Sequence, residues 1–498
     1  MGGSGKVRSD RPRPAINEKA CTGCSMCVEN CPVNCLVLGK PGDKDALQEW
    51  VVLGEPEKCI GCGVCRDCCP MEAIEMRLPD GTAVGASKSN EEVHSMANRA
   101  YYLGCRAFQY VMKGGNYALG YREPALIKGA GALEKLPGFL KEKGLDHILF
   151  VTDPGLIKLG LPDSLLKAFD EEGITYMVFS GVDPNPTSDN VEKGLKVYKE
   201  NGCKVIIAMG GGSPIDCAKG IAARVVHPHM SVRMLQGLLT VHKRIPPFIA
   251  IPTTAGTGSE TTIAAVLTDS RTHHKASIMD PVLIPRYAVL DPDLTKGLPP
   301  FITATTGLDA LCHAVEAYTN HIYNTMLEDR YAKKAVRLIY HNLYKAYQDG
   351  SDLDARANMQ EAAFYAGRAF TRGGVGYVHA IGHTLGGLYG VPHGLAMSII
   401  LPHVMKAFGQ AVYSRLADLA DVCGIEGSNE EEKAKAFIAW IEKIKKDMGI
   451  PVGLDMIQPE DVDQIVAWAA AEANPIYPVP VVFNRKELKK LVESMRVK

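Results

Sequence analysis

The sequence predicts a chain of α/β plus all-α class, led by a small cysteine-rich module, and three observations carry that prediction. Ten of the fifteen cysteines fall between Cys21 and Cys69, in two runs of the same spacing. From about Tyr121, continuous apolar strands alternate with helical segments, the pattern of a parallel sheet covered on both faces. After Pro299-Pro300 the pattern turns almost wholly helical. These changes divide the 498 residues into a cysteine module over 1–80, a linker or docking segment over 81–120, an α/β lobe over 121–300 and a helical lobe over 301–498. Length alone predicts two or three domains.

Composition narrows the class. The formal net charge of -1 leaves no basic excess to drive general nucleic-acid or lipid-surface binding. No run of eighteen apolar residues appears, so no membrane span is expected. The opening MGGSGKVRSDRPRP has no apolar core and reads as a flexible lead-in, which points to a cytoplasmic protein. In that compartment a cysteine-rich module means metal or redox chemistry rather than a disulfide framework.

The two runs are Cys21-x2-Cys24-x2-Cys27-x3-Cys31-Pro32 and Cys59-x2-Cys62-x2-Cys65-x3-Cys69-Pro70. Overlaid, eight cysteines coincide in pairs, whereas Cys35 falls opposite Ala73 and Cys68 opposite Asn30; those two are read as non-ligands. A structural zinc site would need only four ligands and no paired Cys-Pro. The segment LVLGKPGDKDALQEWVVLGEPEK between the runs predicts a hairpin with an enlarged loop around Gly39 to Asp45. From Asp80, DGTAVGASKSNEEVHSM reads as a polar linker, and residues 94–118, with Tyr101 and Tyr102, as a candidate docking helix. The isolated Cys105, Cys203, Cys217, Cys312 and Cys423 read as small buried hydrophobes.

The spacing of the runs resembles that of bacterial two-cluster ferredoxins, in which the fourth cysteine of each run serves the other cluster. By that resemblance Cys21, Cys24, Cys27 and Cys69 hold one [4Fe-4S] cluster, and Cys31, Cys59, Cys62 and Cys65 hold a second.

In the α/β region, HILFVTD (147–153) is a short strand ending in Asp153, and VIIAMGGGSPIDCAKGIA (205–222) is a buried strand that breaks into glycines and then a helix. Gly210, Gly211, Gly212 and Ser213 stand at that helix N-terminus, with Pro214 expected at its first position. Glycines there let a pyrophosphate approach bare amides, and the helix dipole favours the anion. Asp216 follows in the same helix. FIAIPTTAGTGSETT (248–262) adds Thr253, Thr254, Thr257 and Ser259 as hydroxyls for phosphate and nicotinamide. A carboxylate at Asp153 suits ribose hydroxyls and repels a 2′-phosphate, favouring NAD over NADP. A hairpin follows, AAVLTDSRTHHKASIMD, whose His273 and His274 read as a solvated turn and whose Lys275 is a candidate cofactor contact.

The helical region carries the densest chemistry, VGYVHAIGHTLGGLYGVPHG (375–394). His379 and His383 are four apart and share a helix face, and His393 follows glycines and a proline where the chain can turn back. Upstream, Asp309 and His313 have the same spacing. Three imidazoles and one carboxylate suit a divalent metal such as iron or zinc, with room for a substrate oxygen. Helices are expected to start near Ile302, Leu327, Ala355, Gly376, Leu395, Glu430, Glu460 and Arg485. In EEEKAKAFIAWIEKIKKDM, Phe437, Ile441, Ile444 and Met448 form one apolar face. His403 reads as a packing or helix-end residue.

From about Tyr121 to Lys498 the motifs GGGSPIDCAK, IPTTAGTGSE, GLDALCHAVEAY and YVHAIGHTLGGLYGVPHG resemble those of the iron-containing (group III) alcohol dehydrogenases, which share a fold with dehydroquinate synthase and glycerol dehydrogenase. The resemblance implies a dehydroquinate-synthase-like catalytic region and Asp309, His313, His379 and His393 as ligands of Fe(II), zinc or another divalent ion. It implies His383 as a proton relay, the glycine run at the pyrophosphate and Asp153 at the adenosine ribose. It also implies a substrate pocket that includes Ala264 and Phe370. Where a lactaldehyde-reducing relative has Asn, this chain has Ala264, which removes a polar contact and favours a less hydroxylated aldehyde.

The implied reaction is reversible oxidation of a primary alcohol by NAD, with a divalent metal as Lewis acid. Nicotinamide moves two electrons as hydride, whereas each cluster moves one. The clusters are therefore expected to serve a flavin-containing redox subunit or a ferredoxin, in a homo- or hetero-oligomer that is a candidate for electron bifurcation. Two other readings share these residues: a stand-alone polyol or hydroxy-acid dehydrogenase with structural clusters, and a degenerate electron-transfer subunit.

Overall fold

The structure is a computed structural model that describes residues 12–17, 20–21, 26–29, 31, 33–39, 50–60, 64–67, 69, 73–82, 89–271 and 275–497. The chain forms two compact units, Met1–Tyr102 and Leu103–Lys498.

In the first unit each cysteine run contains one short helix and leads into a strand. Strand β1 (Arg13–Ile16) precedes α1 (Met26–Glu29) and β2 (Leu36–Gly39); β3 (Trp50–Leu53) precedes α2 (Val64–Asp67) and β4 (Ile74–Arg77). β1 pairs antiparallel with β4, and β2 with β3 in the register Leu36 to Leu53 and Gly39 to Trp50. The expected hairpin between the runs is therefore formed; residues 40–49 of its loop lie outside the described residues. Cys27, Cys31, Cys35 and Cys65 pack with Leu36, Val51, Ile74 and Met76 into a core too small to stand on aliphatic side chains alone.

Helix α3 (Ser89–Ala118) spans 30 residues. Sequence reading places a polar linker through Met96, but residues 89–103 contain no glycine or proline, and the helix runs through them without a break.

The second unit opens with a parallel sheet. Its strands are β5 (Ala125–Lys128), β6 (His147–Val151), β7 (Thr175–Phe179), β8 (Val205–Gly210), β10 (Phe248–Pro252) and β13 (Tyr287–Leu290). They lie in the order β5-β13-β10-β8-β6-β7, every neighbouring pair parallel. Alternate residues of one strand enter opposite cores: Ile206 and Ala208 join Leu149, Val151 and Ile221, while Val205, Ile207 and Met209 join Phe150 and Phe169. Both faces being buried explains why β8 and β10 read as unbroken apolar runs. The covering helices are α4 (Leu136–Glu142), α5 (Pro154–Lys158), α6 (Asp163–Glu171), α7 (Ser188–Glu200) and α8 (Gly212–Val226). Pro214 is the third residue of α8 rather than the first, because Gly211 is the cap.

A small second sheet contains β9 (Gly237–Leu238), β11 (Ala264–Thr268) and β12 (Lys275–Met279). The expected hairpin is β11 against β12, from Ala264 opposite Met279 to Thr268 opposite Lys275; His273 and His274 lie outside the described residues.

The helical lobe comprises α9 (Pro300–Thr319), α10 (Met326–Gln348), α11 (Leu353–Gly373), α12 (Tyr377–Tyr389), α13 (His393–Phe408), α14 (Tyr413–Cys423), α15 (Glu430–Asp447), α16 (Val462–Ala473) and α17 (Arg485–Ser494). α14 has no counterpart among the expected helix starts, since only a short 3-10 turn over Gly409–Val412 separates it from α13. Phe437, Ile441, Ile444 and Met448 are buried, as their spacing requires. The five isolated cysteines are buried too, and His403 bonds the Val452 carbonyl as a packing residue. The stretch His393–Cys423 is long and apolar enough to cross a membrane by length and composition, but 61% of its apolar window is buried inside the lobe, as in a core helix.

Candidate metal centre and nucleotide site

Three helices converge on one point. α9 presents Asp309 and His313 a turn apart, α12 presents His379, and α13 begins at His393. Gly390 makes the return possible: it ends α12 at φ +67, a left-handed position that glycine takes without strain. One ligand-type atom from each of Asp309, His313, His379 and His393 lies within 4.8 Å of all the others.

The donor set fits a cation. Asp309 Oδ1, His313 Nδ1 and His379 Nε2 are buried and hydrogen-bond to nothing in the protein. Orphaned buried acceptors are costly, and several aimed at one point are the signature of a metal site. His393 Nε2 stands 3.4 Å from Asp309 Oδ1, and its side chain keeps 41% exposure, so the site opens to solvent on that side. Burial pushes the Asp309 carboxyl up to about 7 and His313 down to about 3, and it holds His379 well below the usual imidazole range. A buried divalent ion reverses this logic, because it favours the carboxylate and the neutral imidazoles together.

Residues behind the ligands set their orientation. Glu316, one turn beyond His313, accepts from His379 Nδ1 at 2.5 Å and from the Val378 amide at 2.8 Å. That fixes the tautomer leaving His379 Nε2 free for a metal. Burial raises the Glu316 carboxyl to about 8, against the bonds from Val378 and Gly376 that lower it. The Phe370 ring stacks on His313, centroids 4.1 Å apart at 14°. The distance places Phe370 beside the centre.

His383 is not in the four-atom cluster. Its ring lies parallel to His393 at 5.3 Å, and its Nδ1 bonds Glu472 Oε1 at 2.7 Å. Tyr477 donates to the same oxygen at 2.8 Å. Burial opposes charge on His383, but the Glu472 charge and hydrogen bond outweigh it, and its pKa is raised.

The strand-to-helix turn carries the second site. Gly210 has φ +154, and a Cβ there would stand 2.5 Å from Pro214 Cγ. A Cβ on Gly211 would stand 3.6 Å from the Thr254 side chain and one on Gly212 3.1 Å from that of Thr257, so the glycines and these threonines are neighbours. Thr253 is buried, its amide bonded to the Gly210 carbonyl. Four expected cofactor residues are engaged within the protein. Ser213 donates to the Pro184 carbonyl at 2.6 Å, and Asp153 caps α5 through the Leu156 amide. Asp216 accepts from Ser259 at 2.5 Å and from the Val266 amide at 3.1 Å. Lys275 bonds Asn185 Oδ1 at 2.7 Å, and its charge acts on both His383 and His393. The Ala264 carbonyl takes a 2.8 Å bond from Lys219, which also bonds Ser259 and Thr262.

In the first unit the repeat persists at atomic detail. The Cys35 amide donates to Cys31 Sγ at 3.3 Å, and the Ala73 amide donates to Cys69 Sγ at 3.4 Å. The Val51 amide donates to Cys21 Sγ at 3.4 Å. Amides aimed at sulfur suit thiolates that carry a cluster. Cys35 lies 3.4 Å from Cys31 Sγ, and burial raises its pKa to about 12. Of the expected cluster ligands, Cys24 and Cys62 lie outside the described residues, as does Cys68.

Sequence reading missed Glu316, Glu472, Tyr477 and Lys219. Only Glu316 left a signal, as the third member of an Asp309, His313, Glu316 stripe on one helix face.

Comparison with known proteins agrees with this geometry. The family model for iron-containing alcohol dehydrogenase matches residues 124–292, that for the C-terminal region of the Fe-containing alcohol dehydrogenase family matches 303–496, and a 4Fe-4S dicluster domain matches 20–73. The chain is 38% identical over 391 residues to the 1,3-propanediol dehydrogenase of Citrobacter freundii, covering 78% of this chain and 98% of that protein. It is 37% identical to alcohol dehydrogenase 4 of Schizosaccharomyces pombe, over 77% of this chain and 92% of that one. Among solved structures, the sulfoacetaldehyde reductase of Bifidobacterium kashiwanohense in complex with NAD+ aligns with a TM-score of 0.68 at 30% identity, over 76% of this chain and 98% of that one. With its metal-type cluster and glycine-lined helix start in one unit and its cysteine runs in the other, the chain belongs to the iron-containing alcohol dehydrogenase family and carries a 4Fe-4S dicluster domain on the same polypeptide.

Proposed function

We propose that this enzyme interconverts a small primary alcohol and its aldehyde with NAD(H), and that its dicluster domain exchanges single electrons with a flavin-containing partner. The observation that carries the first part is the convergence of Asp309 Oδ1, His313 Nδ1 and His379 Nε2, buried and unbonded, beside His393. These four residues hold Fe(II), or zinc or another divalent ion, which supplies Lewis acidity toward the substrate oxygen. Glu316 orients His379. His383, with Nδ1 held by Glu472, has its other ring nitrogen for the substrate proton, and a raised imidazole pKa suits an acceptor working near neutrality. Gly210, Gly211, Gly212, Thr254 and Thr257 receive the pyrophosphate. Asp153 takes the adenosine ribose through the carboxylate oxygen that capping leaves over, and Ser213, Asp216 and Thr253 hold the loop in shape. Lys275 stands at the nicotinamide end. Phe370 and Ala264 border an apolar pocket that favours an aldehyde with few hydroxyls.

The second part rests on electron counting. Hydride carriers move two electrons and clusters one, so the chemistry calls for a flavin between them, in a hetero-oligomer that is a candidate for bifurcation between NAD(H) and a ferredoxin. The setting is cytoplasmic. Anaerobic purification from the native host, with metal, sulfide and flavin analysis of what accompanies the chain, tests both parts. The expected result is NAD reduction by simple alcohols and co-purification of a flavoprotein that reduces the clusters. A homo-oligomer whose clusters no such protein reduces overturns the second part alone.

A further inference from the structure

The helix that follows the cysteine module in sequence also reaches toward the reaction centre. The segment after α16 reads Asn474-Pro-Ile-Tyr-Pro-Val-Pro480, with prolines at 475, 478 and 480. Proline has no amide to donate and blocks ladder pairing, so the carbonyls of this segment take side-chain donors. Tyr323 donates to that of Ile476 at 3.1 Å, and helix α3 supplies four others. Arg106 donates to the Val479 carbonyl at 2.7 Å and to that of Pro480 at 2.5 Å. Gln109, fully buried, donates from Nε2 to the carbonyls of Tyr477 at 2.7 Å and Pro475 at 3.2 Å. The two side chains are three apart on one helix face and bonded to each other at 2.8 Å. The C-terminal end of the helix is fastened to the same lobe: Tyr117 bonds the Asn324 carbonyl, and Arg372 bonds that of Asn116.

The clamped segment carries Tyr477, whose hydroxyl and His383 Nδ1 meet on one oxygen of Glu472, at 2.8 and 2.7 Å. We infer that Arg106 and Gln109 are positioning residues for the dehydrogenase: they hold residues 475–480 so that Tyr477 and Glu472 fix the His383 ring. The connecting helix is then part of the catalytic apparatus. This inference rests on the role proposed above for His383.

The test uses the full chain. Gln109→Met keeps the length of the side chain and removes both donors; Tyr477→Phe keeps the ring and removes the bond to Glu472. Turnover, the KM for NAD and for alcohol, bound metal and amide hydrogen exchange over residues 474–480 are measured for each variant and for the double. Gln109→Met is expected to lower kcat about ten-fold, with metal content and the KM for NAD unchanged and faster exchange over 474–480. If the clamp acts through Tyr477, the double variant is no more than about two-fold slower than Tyr477→Phe alone, because groups in one chain of contacts are non-additive. Arg106→Lys, which keeps one cationic donor, falls between wild type and Gln109→Met. Unchanged kcat in Gln109→Met, or effects that multiply in the double variant, overturn the inference. His383→Ala separates the two levels: undiminished turnover removes the reading of His383 and this inference with it. Slowed turnover there beside an unaffected Gln109→Met removes the clamp alone.

Discussion

The two metal-binding regions of this chain are built in opposite ways. In the cysteine module every described donor comes from two runs of eleven residues, Cys21–Cys31 and Cys59–Cys69, and their sulfurs accept from backbone amides, those of Cys35 and Ala73 four residues beyond a cysteine and that of Val51 in β3. In the catalytic lobe the four donors come from three helices and span 85 positions, from Asp309 to His393. Their orientation depends on side chains further back, Glu316 behind His379 and the Gly256 backbone behind His313. The difference follows from ligand chemistry. Thiolates bind soft metal strongly enough that a loop can fold around the cluster. Neutral imidazoles and one carboxylate must be pre-aimed by a folded scaffold, because each is costly to bury before the ion arrives.

That contrast makes removal of one donor consequential in both regions but with different reach. His379→Ala is expected to lose metal and NAD reduction together, by about a thousand-fold or more in kcat/KM, since Lewis acidity is the main source of rate in such sites. Metal analysis of the purified variant beside its alcohol-dependent NAD reduction checks this. A metal-free variant with full activity breaks the assignment of the helical lobe. Cys59→Ala, in the other region, is expected to remove one cluster, about four irons per chain, while the ion of the helical lobe stays; iron and sulfide counts with electron paramagnetic resonance of the reduced protein read it. Loss of both clusters would show that the two quartets are one cooperative site, and the contrast would need redrawing.

A smaller effect probes the scaffold alone. Glu316→Ala leaves His379 Nδ1 and the Val378 amide without their shared acceptor. Metal affinity is expected to fall roughly 10- to 100-fold while all four donors remain. Competition with a chelator measures it. An affinity equal to wild type would mean that the helical lobe, like the module, positions its ligands by backbone alone.

Legibility in the sequence divides along the same line. The dicluster domain over residues 20–73 was readable because the spacing of cysteines within each run is itself the signal. So were the parallel sheet and most of the helical lobe, because burial on both faces of β8 and β10, and on one face of α15, leaves distinct periodicities. The four-donor set followed from the resemblance of the motifs to a known family; helical spacing alone pairs His379 with His383, and that His383 stands outside the cluster depends on where α12 meets α13. Glu472 was not readable at all: it lies 89 residues from His383 and sits in an alanine-rich helix. Asp153, Ser213 and Asp216 were assigned to the cofactor by position, whereas each also holds a local hydrogen bond that spacing cannot show. The polar start of α3 was read as a linker because composition measures exposure better than it measures backbone conformation.

The smallest effect concerns a buried acid of the catalytic unit. Glu260 is 2% exposed beneath the nucleotide loop, and burial raises its carboxyl to about 7, with the Lys219 charge acting the other way. A carboxyl whose folded pKa is above its unfolded value binds its proton more tightly in the folded state. The stability this confers is fully present below about 4.5 and is lost as pH rises through about 7. Lys219, held down to about 8 by burial, has the reverse sign and contributes only above that pH, so the two windows do not overlap. Glu260→Gln keeps the shape and cannot ionise. The wild type is therefore expected to lose about 2 kcal/mol relative to this variant between pH 4.5 and 7.5, a few degrees in Tm, with the titrations of groups not coupled to Glu260 cancelling in the difference. Parallel melting profiles across that range would show instead that the acid is solvated in the folded protein, and that the scaffold around the nucleotide loop is looser than the one behind His379.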